Sequence, residues 1–262
     1  MEDIAFGLCS VSVLLILLGV MVALIIRSAL KMRVAHIMKN TETSSIVDVR
    51  PGFVELKGRI EPILGRVLRT PITRMEAVLY DSKLQRYESH GKSGRWRTIW
   101  KRSERLPFLV NDGSAKMKIH PSNARLELDL KNKESMGGFN GDPSPQFREF
   151  LRSQGISEKG FFGMLNQSLR FEASYLEPYR DVYILGSAVD AGLETELERD
   201  PMIMPFTMSK GITEKTFLIS DRTEEKLYTR IMVFNVLIIV ICSMIALVPI
   251  LTILAIMANF IF

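Results

Sequence analysis

The sequence predicts a mainly β soluble domain with one short helix, carried between two transmembrane helices. Three observations predict it: an apolar run near each end, a two-residue apolar/polar alternation through the middle, and one isolated stretch of helical spacing. Residues 4–26 carry no charge over 23 positions, and about 20 apolar residues span a bilayer as a helix. Residues 231–262 are 32 further uncharged positions. At about 1.5 Å per residue they overshoot a ~30 Å hydrocarbon core, so tilt, a kink near Pro249 or a trailing tail absorbs the excess. A tight re-entrant hairpin at Pro249 is the weaker alternative. A cleaved secretory signal would open on basic residues. This chain opens on Glu2 and Asp3, and Arg27, Lys31 and Arg33 follow the run, which favours an anchor.

Basic residues flanking a span stay on the cytoplasmic side. Arg27, Lys31 and Arg33 after the first run, with Lys226 and Arg230 before the second, therefore place the middle of this integral membrane chain in the cytosol. The expected division is a first span at 4–26, a juxtamembrane linker at 27–43, a β domain at 44–190, an acidic and juxtamembrane connector at 191–230, and a second span at 231–262.

Taken in order, residues 28–38 read as helix, "KNTETSS" as linker, and "IVDV" as the opening of the first strand. After Pro51 and Gly52, "FVELKGRIEP" alternates with period two, and Gly58 marks a bulge or a close backbone approach. "EAVLYDSKLQRYE" is the next strand and "WRTIWKRSERLPFLV" continues the pattern. Asn111, Asp112 and Gly113 then turn the chain into "KMKIHP", a hairpin signal that makes the sheet antiparallel. In "SPQFREFLRSQG", Ser144 caps a helix, Pro145 fits its first position, Phe147 and Leu151 share a face, and Gly155 ends it. "LRFEASYLEPYRDVYILGSAV" gives two last strands turning near Pro178, where the pattern closes. A glycine in the first of several short strands and one helix before the last pair suggest a five-stranded barrel like the oligonucleotide-binding (OB) fold.

Four blocks in order, "PGFVELKGRIEP", "TPITRMEAVLYDSKLQRY", "PFLVNDGSAKMKIHP" and "YLEPYRDVYILGSA", followed by "TFLISDRTEEKLYTR" entering the second span, resemble the GIDE family, or BAM (beside a membrane) domain, of mitochondrial-anchored E3 ubiquitin ligases. The resemblance implies a structural role for Pro51, Gly52, Gly58, Glu61, Pro62, Tyr80, Pro107, Phe108, Asp112, Gly113, Tyr183 and Gly186. The alternative reading is an accessory or adaptor subunit of a membrane ubiquitin-ligase-like or protease system. In that family the domain faces the mitochondrial intermembrane space, against the cytosolic side favoured by charge. The ligases add a RING, whose two zinc ions need eight ligands in four-ligand sites. These residues hold two cysteines and three histidines, and Cys9 and Cys242 fall in the apolar runs, so RING transfer is not expected of them.

No catalytic residue, metal site or cofactor is expected. His36, His90 and His120 show no metal spacing. No G-x-S-x-G occurs, and "MGGFNGD" lacks the strand, helix and lysine of a phosphate cradle. Glu55, Glu61 and Glu177 read as members of surface ion pairs. Charge does rise above background. Residues 83–118 hold ten basic and three acidic side chains. Within it Lys83, Arg86, Arg95, Trp96, Arg97, Trp100, Lys101, Arg102 and Arg105 form the candidate site, with Tyr87 interleaved and the tryptophans expected on one strand face. The plain alternative is a solvated hairpin, or a patch neutralised by Asp190, Glu194, Glu196, Glu198 and Asp200. The functional reading is recognition rather than catalysis: a scaffold that binds anionic membrane lipid or an acidic protein partner. Nucleic acid is disfavoured despite the aromatics. Adaptor and homo-oligomer readings stay open.

Overall fold

The computed structural model describes residues 2–90, 93–137, 142–157, 167–190, 197 and 200–261. Lys92, Glu194, Glu196, Glu198 and most of "MGGFNGD" lie outside them. The chain divides into two compact units: Met1–Glu42 with Glu224–Phe262, and Thr43–Thr223. The described helices are α1 (Glu2–Asn40), α2 (Pro145–Ser153) and α3 (Glu224–Ile261).

In the first unit α1 and α3 pack together. Ser28, Ala35 and Met38 are buried on one helix, and Leu227, Ile231, Asn235, Cys242 and Ala246 on the other. These spacings of three, four and seven are those of a helix seam. Most apolar side chains face outward instead, among them Ile16, Leu30, Phe234 and Leu251. Both helices are long and apolar enough to cross a membrane. α3 runs without a break through Pro249, so no hairpin turns there, and it begins at Glu224, seven residues before the uncharged run.

The second unit contains β1 (Gly52–Pro62), β2 (Leu68–Arg69), β3 (Glu76–Ala77), β4 (Leu79–His90), β5 (Ser93–Arg105), β6 (Phe108–Asn111), β7 (Lys116–Ile119), β8 (Arg125–Glu127), β9 (Asn132–Met136), β10 (Leu169–Leu176), β11 (Asp181–Asp190), β12 (Ile203–Ser209) and β13 (Leu218–Ser220). Strands β1, β6, β7, β12 and β11 are hydrogen-bonded in that order, and β11 returns to β1, which closes a five-stranded barrel. Alternate residues point inward, so Leu56, Ile60, Phe108, Val110, Met117, Ile119, Ile184 and Met208 fill it. A separate sheet, β5-β4-β10-β9, packs α2 through Leu84, Phe147, Phe150, Leu151 and Phe171. Ser144 Oγ accepts the Phe147 N–H at 3.1 Å and donates to Glu134 at 2.7 Å, which fixes where α2 starts.

Several expectations need correction. "IVDV" is a 3₁₀ turn, Ile46–Asp48, not a strand, because the Asp112 carboxylate takes the Ile46 N–H at 2.8 Å. "WRTIWKRSERLPFLV" is two strands in two sheets: Pro107 has no N–H to donate, and the ladder breaks there. The domain continues beyond 190 to Thr223, since β12 from within the supposed connector completes the barrel. The sheet is not wholly antiparallel, because β12 pairs parallel with β7 and β13 with β8.

Candidate functional site

The candidate site centres on the long β4–β5 hairpin, where one irregularity decides which side chains meet. Gln85 lies opposite Thr98, yet Leu84 lies opposite Trp100, so Ile99 is an extra residue in β5. Such a bulge shifts the alternation by one. Trp96 and Trp100 therefore leave opposite faces of the sheet, contrary to the expectation from their four-residue spacing. Trp100 turns toward α2, edge-on to Phe150 at 5.0 Å, with its indole N–H donating to Gln154 at 3.0 Å. Trp96 turns the other way, edge-on to Tyr87 at 5.4 Å. The Arg170 guanidinium lies 4.5 Å from the Trp96 ring centre, a cation–π contact.

The basic stretch divides along the same two faces. On the α2 side, Arg86 and Arg97 both reach Glu88, at 3.4 and 3.3 Å, and Arg102 pairs with Glu104. Desolvation would raise the Glu88 pKa, but hydrogen bonds from Arg97 and Arg86 outweigh it and hold the carboxyl below its ordinary value. Burial, with a hydrogen bond to Glu104 and that residue's charge, pushes Tyr80 up to about 12. Arg95 shares this face and has no ion pair among the described residues. On the Trp96 side, Lys83 pairs with Glu172 at 2.9 Å, and Arg170 donates to Gln85 at 2.7 Å and reaches Glu172 at 3.2 Å. Burial raises the Glu172 pKa less than Lys83, Arg170 and Lys133 lower it. Lys101 lies directly opposite Lys83 and, among the described residues, has no ion pair. Arg105 serves the fold, donating to the carbonyls of Pro121 and Ala124 at 3.0 Å each.

Thus a linear block of charge is split between two faces: Arg86, Arg97 and Arg102 are paired on the α2 side with Arg95 beside them, and Lys83, Lys101, Lys133 and Arg170 share the Trp96 side with the carboxylates Glu172 and Asp81, Arg170 lying against the Trp96 ring. Arg170 and Lys133 lie outside the basic stretch, and sequence reasoning missed them. The signal was present in "LRFEASYL", whose polar phase carries Arg170 and Glu172. Of the acidic connector, Asp200 meets Lys116 at 3.4 Å, well away from this face; Glu194, Glu196 and Glu198 lie outside the described residues.

Gly58 lies against β6, where an added Cβ would sit 2.7 Å from the Asn111 carbonyl oxygen. At Gly186 it would sit 2.6 Å from the Phe217 ring. Pro51 and Gly52 open β1, Pro62 closes it opposite Phe108, and Pro107 separates the two sheets. Gly113 takes a φ of 91° in the turn. Glu55 is buried, not on the surface as expected, and accepts from Tyr183 at 2.7 Å, yet it does form an ion pair, with Lys57 at 3.2 Å, as Glu177 does with Lys131 and Arg180. Glu61 pairs with Lys116 at 3.0 Å and accepts from Asn111 at 2.7 Å.

Asp112 and Glu61 give a pH prediction. Burial would raise the Asp112 pKa, but hydrogen bonds from the Ser114 hydroxyl and the Ile46, Ser114 and Ala115 amides hold it below the ordinary carboxylate value. Burial is likewise outweighed at Glu61 by Asn111 and Lys116, which hold its carboxyl below the ordinary value. A depressed folded-state pKa stabilises above the unfolded value and is lost as pH falls through the folded one. The melting temperature of the Thr43–Thr223 unit should therefore fall steeply below about pH 4. Asp112→Asn should be less stable at pH 7 and show a shallower acid fall. An equally steep fall in the variant would assign the acid sensitivity elsewhere.

Comparison of the chain with protein-family models, curated proteins and solved structures returns no match. The functional reading therefore rests on the geometry above.

Proposed function

We propose that this is a two-span membrane protein whose barrel is OB-like and related to the GIDE/BAM domain, and that it recognises anionic lipid headgroups instead of catalysing a reaction. The observation that carries the reading is the Trp96 face of the four-stranded sheet. An indole clamped by Arg170, a half-exposed Tyr87 and the exposed Lys101 and Lys133 suit a surface of phosphates over acyl chains. Each lysine near an anionic membrane gains roughly 1 kcal/mol, and tryptophan favours the interface. The barrel order supports the OB-like reading: numbered along the chain, its strands run first, second, third, fifth, fourth and back to the first. The long hairpin is inserted between the first and second, where OB barrels place a ligand-binding loop. The central domain is assigned to the cytosol on the basic residues flanking both spans.

The Thr43–Thr223 unit has its own cores and can be tested directly. It should pellet with anionic vesicles, not with neutral ones, and release as salt rises. The double variant Trp96→Ala, Lys101→Glu should bind at least about tenfold more weakly, while Arg95→Glu on the opposite face should change binding less. Equal loss in both, or unchanged binding in the double variant, overturns the assignment of the face. Binding to neither vesicle overturns the lipid reading and directs the search to an acidic protein partner by crosslinking in native membranes.

A further inference from the structure

Where the end of α1 lies beside the start of α3, Met32, Arg33, His36, Lys39, Tyr228 and Met232 line an open-sided cavity of about 390 Å³. We infer that this cavity binds the phosphodiester headgroup of an anionic phospholipid. The inference rests on α1 and α3 spanning a bilayer, and it concerns a site separate from the sheet face.

The chemistry is one-sided. Arg33, His36 and Lys39 recur every three residues along α1, the spacing that brings side chains to neighbouring positions on a helix surface. Tyr228 adds a hydroxyl, and no carboxylate lines the cavity among the described residues. The Asn40 amide nitrogen lies 2.9 Å from His36 Nε2. That contact, one helical turn along α1, holds the imidazole ring in place. Arginine offers a planar fork matched to phosphate oxygens, and lysine a point charge.

Depth selects lipid over free phosphate. Met232 belongs to the uncharged run that begins at Ile231, and Tyr228 precedes that run by three residues, roughly 4.5 Å along the axis. On α3 the cavity thus reaches into the uncharged run at Met232, while α1 lines it with Arg33, His36 and Lys39 beyond the end of the first run. Tyrosine is enriched at that boundary, and basic pockets between membrane helices take anionic headgroups.

The test uses the full chain in nanodiscs of phosphatidylcholine with phosphatidylglycerol, with retained lipid counted by native mass spectrometry. Wild type should retain phosphatidylglycerol preferentially, and Arg33→Gln, His36→Gln, Lys39→Gln together should reduce that preference about tenfold or more. Tyr228→Phe, which keeps the ring and so the packing, should reduce it several-fold. Arg27→Gln, outside the cavity on α1, should leave it intact. No loss in the triple variant, or an equal loss in Arg27→Gln, overturns the site. Displacement by inorganic phosphate at the same concentration as by phosphatidylglycerol overturns the lipid identity. Release of the chain from membranes by alkaline carbonate would overturn the spanning reading itself, whereas a firmly embedded chain without lipid preference overturns only this inference.

Discussion

Phe171→Ala should lower the stability of the Thr43–Thr223 unit by about 3–5 kcal/mol, the cost of emptying a buried phenylalanine site. Phe171 is 1% exposed and sits among Phe150 at 5.4 Å, Phe147 at 6.3 Å and Trp100 at 6.4 Å. Those rings fasten α2 to the four-stranded sheet, so little backbone movement can close the gap. Domains of this size are stable by only about 5–15 kcal/mol, which makes the loss a large share of the total. Urea unfolding should show a lower midpoint with an unchanged slope. A midpoint close to wild type would mean the ring cluster is not a packed core.

The second large effect is expected at Gly58. Its backbone is ordinary strand, so the constraint is space: a methyl group there would lie 2.7 Å from both the Asn111 carbonyl oxygen and Val110 Cγ1. The oxygen belongs to the neighbouring strand and cannot rotate away. Gly58→Ala should cost about 1–3 kcal/mol, as overpacking does, and Gly58→Val more. The damage should fall on the β1–β6 edge of the barrel, read as faster amide exchange at Ile60 and Val110. Wild-type stability in both variants would show that the two strands can separate without penalty.

These two residues also mark how far the sequence could be read. Gly58 was legible because a glycine in an alternating strand has few explanations. The terminal helices were legible because their signal is composition over about 20 neighbouring residues, and α2 because Ser144, Pro145 and Gly155 are local instructions. The Ile99 bulge was not. Nothing in "WRTIWKR" marks an inserted residue; the register is settled where Trp100 fits between Phe150 and Phe171, residues far along the chain. Closure of the barrel by β12 was hidden for a similar reason, since "IMPFTMS" carries a proline and weak alternation and its partner β7 lies across a parallel pairing that no turn announces. The charged surface was misjudged in extent, because linear counting cannot know that Glu88 takes two arginines or that Arg170 joins from another strand.

The order in which the barrel strands occur along the chain has a consequence for synthesis. Glu55 in β1 pairs with Leu185 in β11, and at 5–20 residues per second the ribosome needs on the order of ten seconds to make the chain between them. During that interval α1 is already made, while β1 waits with an open edge. The β4–β5 hairpin, whose contacts are local, can form early. The barrel cannot close until β12 has emerged, shortly before α3 is made. A nascent chain stalled between residues 119 and 203 would thus hold a formed hairpin and an unclosed barrel, the state in which a chaperone or a quality-control protease would meet it.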